Sequence, residues 1–136
     1  MTARKIPHIL LVFACLALIA GGCRSVSVPP SVTGRAIYML NLALPADAIV
    51  EFKLVQTTAD GEILSVVSEQ SITNARRAPI AFDLPYSRSE IKSKEHYGVT
   101  CEIRSGERVL FRTARPFPVL THGSSKQVEI LLERVL

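Results

Sequence analysis

The stretch IVEFKLVQTTADGEILSVVSEQSIT, Ile49 to Thr73, decides the fold class. From Ile49 to Thr58, apolar Val50, Phe52 and Leu54 alternate with Glu51 and Lys53, the two-residue period of a half-buried strand. Asp60-Gly61 then supplies a tight turn, because both residue types tolerate positive φ. The run from Glu62 to Thr73 returns with Ile63, Leu64, Val66 and Val67. A β-hairpin is the direct reading.

Outward from this hairpin the same grammar repeats. Gly34 to Leu42 reads as a strand, and Pro45 fixes the connection that follows. In Pro79 to Leu84, residues Ile80, Phe82 and Leu84 share a face. A polar stretch from Tyr86 to Glu95 carries one helical turn around Ser89 to Ile91. His96 to Arg104 sets Tyr97, Val99, Cys101 and Ile103 on one side, and Ser105-Gly106 turns the chain into Glu107 to Thr113. Pro116 and Pro118 interrupt pairing and mark an edge or a crossing between sheets. Lys126 to Val135 closes the chain. Seven or eight short strands at this spacing predict an all-β domain over residues 34–136, an antiparallel β-sandwich, with a small closed barrel as the competing architecture.

The N-terminus carries a different message. Arg4 and Lys5 precede an apolar run of 12 residues, Ile9 to Ala20. That length suits a secretory signal and falls short of the roughly 20 residues a spanning helix needs. The run closes on Leu18-Ile-Ala-Gly-Gly-Cys23, small residues before a cysteine, as in a bacterial lipobox. Narrow Gly21 and Gly22 pass a peptidase site, and the Cys23 thiol accepts diacylglycerol. Residues 1–22 are therefore read as a lipoprotein signal peptide and 23–33, with Pro29-Pro30, as a lipidated tether. Two or three fatty acyl (palmitate) chains hold a protein on a bilayer where one chain binds only marginally. Arg24, instead of the Asp that marks inner-membrane retention, points to the outer membrane with the domain facing the periplasm.

Loss of residues 1–22 leaves 114 residues and lowers the formal charge from +4 to +2, too little for a nucleic-acid footprint. Cys101 then has no partner for an internal disulfide and reads as a core residue. His96, His122 and Cys101 have no paired-ligand spacing, so no metal site is expected. No nucleophile elbow, triad or phosphate-binding glycine loop is present, so no catalytic residue and no cofactor beyond the covalent lipid on Cys23 is expected. Arg104, Arg108, Arg112 and Arg115 load the predicted His96–Arg115 hairpin with positive charge. Arg108 and Arg112, four apart, are read as pointing to the same side, either as a solvated face or as contacts to an acidic partner or phospholipid headgroups. Pro116, Phe117 and Pro118 are the candidate rim of a partner groove, with a core-packing crossover as the other reading.

The runs Ala43-Leu-Pro-Ala-Asp-Ala48, Pro79-Ile-Ala-Phe-Asp-Leu-Pro-Tyr86, Tyr97-Gly-Val99 and Pro118-Val-Leu-Thr121 occur in this order. A glycine and an apolar strand ending Leu131-Leu-Glu-Arg-Val135 follow them. In this pattern the chain resembles the YbaY/YscW family of bacterial lipoproteins over about Gly34 to Leu136. The resemblance implies a compact β-sandwich without enzyme activity. Its YscW-like branch implies a pilotin of type III secretion, a small outer-membrane lipoprotein that chaperones a secretin. Such a pilotin binds the secretin C-terminal tail and aids ring assembly. The alternative is a general envelope lipoprotein that binds glycan or lipid and has no secretin partner.

Overall fold

The computed structural model describes residues 21–136. The leader reading over residues 1–20 lies outside the described residues. Eight strands follow in chain order: β1 (Ser31–Tyr38), β2 (Ala48–Thr57), β3 (Ile63–Ile72), β4 (Ile80–Pro85), β5 (His96–Ser105), β6 (Arg108–Arg112), β7 (Phe117–Val119) and β8 (Gln127–Arg134). One 3-10 turn, Arg88–Glu90, interrupts the polar stretch before β5. The all-β class is as the alternation predicts.

The strands form one continuous path, β3-β2-β5-β6-β8-β1-β4, with β7 added to β5. β5 is long enough to hold two partners in line: Ile103 faces Phe111 of β6, and Val99 faces Phe117 of β7. The path folds over so that β4-β1-β8 covers β3-β2-β5. The two layers join at one side, where β8 meets β6 through only Phe111↔Arg134 and Arg112↔Glu133. At the other side edges β3 and β4 approach, and the Gln70 side-chain oxygen accepts a hydrogen bond from the Asp83 backbone N–H at 2.9 Å. The result is a sandwich close to closing as a barrel.

One pairing departs from the antiparallel pattern. β1 and β8 run parallel, from Thr33↔Gln127 to Tyr38↔Leu132. β1 also begins three residues before the Gly34 start read from sequence and ends at Tyr38 instead of Leu42. Ser31 and Val32 join the ladder because β4 lies beside them, Ser31 facing Pro85 and Val32 facing Leu84.

The core fills the space between the layers. Val50, Phe52, Leu54, Leu84, Val99, Ile103 and Ile130 are fully buried. Phe52 of one layer stacks on Phe82 of the other with ring centroids 4.6 Å apart, and Tyr38 stacks on Phe111 at 4.4 Å. Cys101 joins this core, and burial pushes its thiol well above the ordinary range, so it stays protonated and unreactive. The DG turn is a loop from Thr58 to Glu62 in which only Gly61 takes positive φ, 91°.

Candidate functional site

The fold orients the exposed surfaces of the domain relative to the chain entering β1. Cys23 is exposed. Residues 27–30 run along the end of β4, where Ser27, Val28, Pro29 and Pro30 with Pro85 and Tyr86 border an open hollow of about 540 Å³. The Pro30 carbonyl accepts a hydrogen bond from the Tyr86 N–H at 2.9 Å, which fixes where the tether meets the domain. The near end of the domain therefore holds the tether, the Thr58–Glu62 turn and the polar stretch before β5. The far end, past Tyr38, holds the connections 39–47 and 73–79 and the Ser105–Arg108 turn.

The arginines of the β5–β6 hairpin separate. Across β5, Arg108 faces Ser105 and Val109 faces Arg104, yet the next pair is Phe111 with Ile103. Leu110 is the extra residue, and its carbonyl accepts instead from the Val135 N–H at 3.0 Å. This bulge shifts the alternation by one. The four-residue spacing therefore does not carry Arg108 and Arg112 to one side, which corrects the reading of them as a shared face. Arg112 faces Glu102, and both arginines are exposed. Arg104 is tied to Glu51 at 3.3 Å and to Glu102 at 3.8 Å. Lys53 contacts the same Glu51 at 2.8 Å. The hydrogen bond from Lys53 holds the Glu51 carboxyl below its usual range, and Glu51 in turn raises Lys53.

The proline segment packs. Pro116 lies over the bare backbone of Gly98, where an added Cβ would sit 2.6 Å from the Pro116 Cβ and 3.2 Å from the Phe117 carbonyl. Phe117 is half-buried against the core, Val119 is buried, and Pro118 faces Gly98 from the exposed side of β7. Of the five candidate contact residues, Arg108, Arg112 and Pro118 reach solvent, while Pro116 and Phe117 are engaged within the domain.

His96 and His122 meet, with ring centroids 3.9 Å apart and planes 8° from parallel. Imidazole lone pairs lie in the ring planes, so two stacked rings cannot aim both at one ion. Among the described residues no group of three or more His, Cys, Asp or Glu side chains is placed to hold a metal. No helix among them is long and apolar enough to cross a membrane.

Two apolar surfaces were not singled out by the sequence reading. One is the start of β3, where Ile63, Leu64 and Val66 are half exposed. The other is the far-end loop, with Met39 in solvent and Leu40 and Leu42 partly exposed beside it. Both hid in the sequence because an exposed apolar residue on a strand or loop carries the same letter as a buried one. In the loop, the run Tyr38-Met-Leu-Asn-Leu42 extends the strand pattern past the point where pairing stops.

Residues 27–132 match the model of a family described as type III secretion system lipoprotein chaperone (YscW). Among solved structures, the chain is similar to an alternative pilotin from the type II secretion system of Vibrio cholerae. The identity is 29% and the TM-score 0.72, over 80% of this chain and 99% of that one. A comparison with curated proteins returns no match.

Proposed function

The chain belongs to the YscW family of type III secretion system lipoprotein chaperones, and from that premise we propose that it is a lipid-anchored pilotin for a type III secretion secretin. In this reading Cys23 carries the acyl chains, and the domain faces the periplasm from the outer membrane. It binds the C-terminal tail of a secretin subunit, brings it to the outer membrane and aids ring assembly. The domain acts by recognition alone, with no cofactor beyond the lipid and no catalytic step.

The observation that carries the proposal is the family match across residues 27–132, nearly the whole domain. The likeness to a pilotin of type II secretion supports a secretin partner and favours, as a second reading, a secretin of that system. The architecture suits the task. Lipid supplies membrane affinity, which leaves the small domain free to spend its surface on a partner. The tether of eight residues, 23–30, spans at most about 29 Å, so the domain works close to the bilayer.

Deletion of the gene tests the proposal. The expected result is loss of heat-resistant secretin multimers from the outer-membrane fraction, with monomer left in the inner membrane or degraded. Normal multimers in the outer membrane would overturn it. Comparing the type III and type II secretins in the same strain separates the two readings.

A further inference from the structure

We infer that the far-end loop Met39–Leu42, with Arg77 beside it, is the docking surface for an apolar protein segment that carries carboxylates. The inference deepens the pilotin reading and rests on it, the segment being the secretin tail.

Three observations lead there. The first is position. β1 runs eight residues, about 26 Å, from the tether to Tyr38, so the loop sits at the end opposite the anchor. An apolar surface held away from the bilayer serves a protein partner better than lipid.

The second is that the exposure is built in. The Tyr38 hydroxyl donates to the Leu42 carbonyl at 2.8 Å and accepts from the Ala78 N–H at 3.3 Å. The Leu44 N–H donates to the Arg76 carbonyl at 2.7 Å, and the Arg76 guanidinium donates to the Ala46 carbonyl at 3.3 Å. Leu44 is buried beneath. The chain from Leu42 to Ala46 is laced to its neighbour, yet Met39 is 85% exposed, Leu40 40% and Leu42 46%. A loop tied at its Leu42 end loses less freedom on binding than a free one, and it leaves apolar surface in solvent, Met39 most of all.

The third is charge. Arg77 lines, with Met39, Leu40 and Leu42, a hollow of about 230 Å³. Among the described residues neither Arg76 nor Arg77 is in an ion pair. Asp47, in the same far-end connection, accepts from the Ser105 hydroxyl at 2.7 Å and forms no ion pair with either arginine. Apolar side chains beside unpaired guanidinium groups complement a segment with apolar and carboxylate side chains. At the exposed start of β3, Ile63 borders a hollow with Arg112, but Glu51 and Glu102 line the same hollow and would repel a carboxylate, and two register shifts break this strand as a template for an added one.

The test uses the lipidated mature protein in detergent and a fluorescein-labelled peptide of the secretin C-terminal tail from the same cell. Binding is read by anisotropy, and thermal unfolding checks that each variant folds. Met39→Ser with Leu42→Ser, and separately Arg77→Glu, should each weaken binding about tenfold or more, as at an interface hot spot. Arg77→Lys should stay near wild type, and Ile63→Ser with Leu64→Ser should leave binding unchanged. Weakening by the β3 pair alone overturns the site and leaves the pilotin reading standing. Absence of binding by the wild type overturns that reading and this inference with it. If the far-end variants lose affinity for vesicles of anionic phospholipid but not for the peptide, the protein partner is overturned in favour of a membrane contact.

Discussion

β2 and β3 are the two arms of one hairpin, ten residues each and both rich in aliphatic side chains, yet they live in different environments. Val50, Phe52 and Leu54 of β2 are fully buried, while Ile63, Leu64 and Val66 of β3 are half exposed. β2 pairs on both sides, with β3 and β5, and faces the opposite layer through Phe52 on Phe82. Among the described residues β3 pairs only with β2, and it slips register twice, between Leu54 and Val55 and between Gln56 and Thr57 of its partner. Alternation thus tells which residues share a face, while topology decides whether that face is covered.

The sharpest way to break this contrast is Phe52→Ala. It removes a fully buried ring and its stacking on Phe82, and should cost about 3–5 kcal/mol, read as a lower urea midpoint at unchanged slope. Gly98→Val tests the other neighbour of β2. Its side chain must displace Pro116, which should cost about 1–3 kcal/mol in thermal unfolding.

Next comes the outer face of β2. Glu51→Gln removes a partly exposed, solvent-screened contact with Lys53 and should cost at most about 1 kcal/mol at neutral pH. Because the folded Glu51 carboxyl titrates below its usual range, its stabilisation is full above that range and fades as pH falls through the lowered value. The gap between wild type and variant should therefore close in acid. Lys53, raised by the same contact, gives the mirror effect, lost as pH climbs past the ordinary lysine range. A gap that persists in acid denaturation would remove the ion pair as its cause. Smallest of all, Ile63→Ser with Leu64→Ser should move stability by only about 0.5 kcal/mol, as befits exposed edge positions. A loss comparable to that of Phe52→Ala would show that β3 is covered after all.

The hairpin around Asp60-Gly61 and the inward set Tyr97, Val99, Cys101 and Ile103 were legible because local alternation alone determines them. The start of β1 was not. Ser31 to Thr33 follow two prolines and become strand only because β4 and β8, distant in sequence, lie alongside. The parallel pairing of β1 with β8 is likewise a non-local fact. Arg108 and Arg112 were misaligned by the Leu110 bulge, which no turn residue announces. The reading of Cys23 as the anchor rests on the chemistry of the small residues before it, and packing does not enter it. The far-end loop escaped because Tyr38, by bonding Leu42 and Ala78 through its hydroxyl, turns a strand-like run into a protruding loop.

The central claim joins the acyl anchor to secretin assembly, and one complementation experiment measures both. In a strain lacking the gene, wild type should restore heat-resistant secretin multimers to the outer-membrane fraction. Cys23→Ser, expressed in the periplasm at equal level, should leave the secretin outside that fraction. Full restoration by Cys23→Ser would contradict the account.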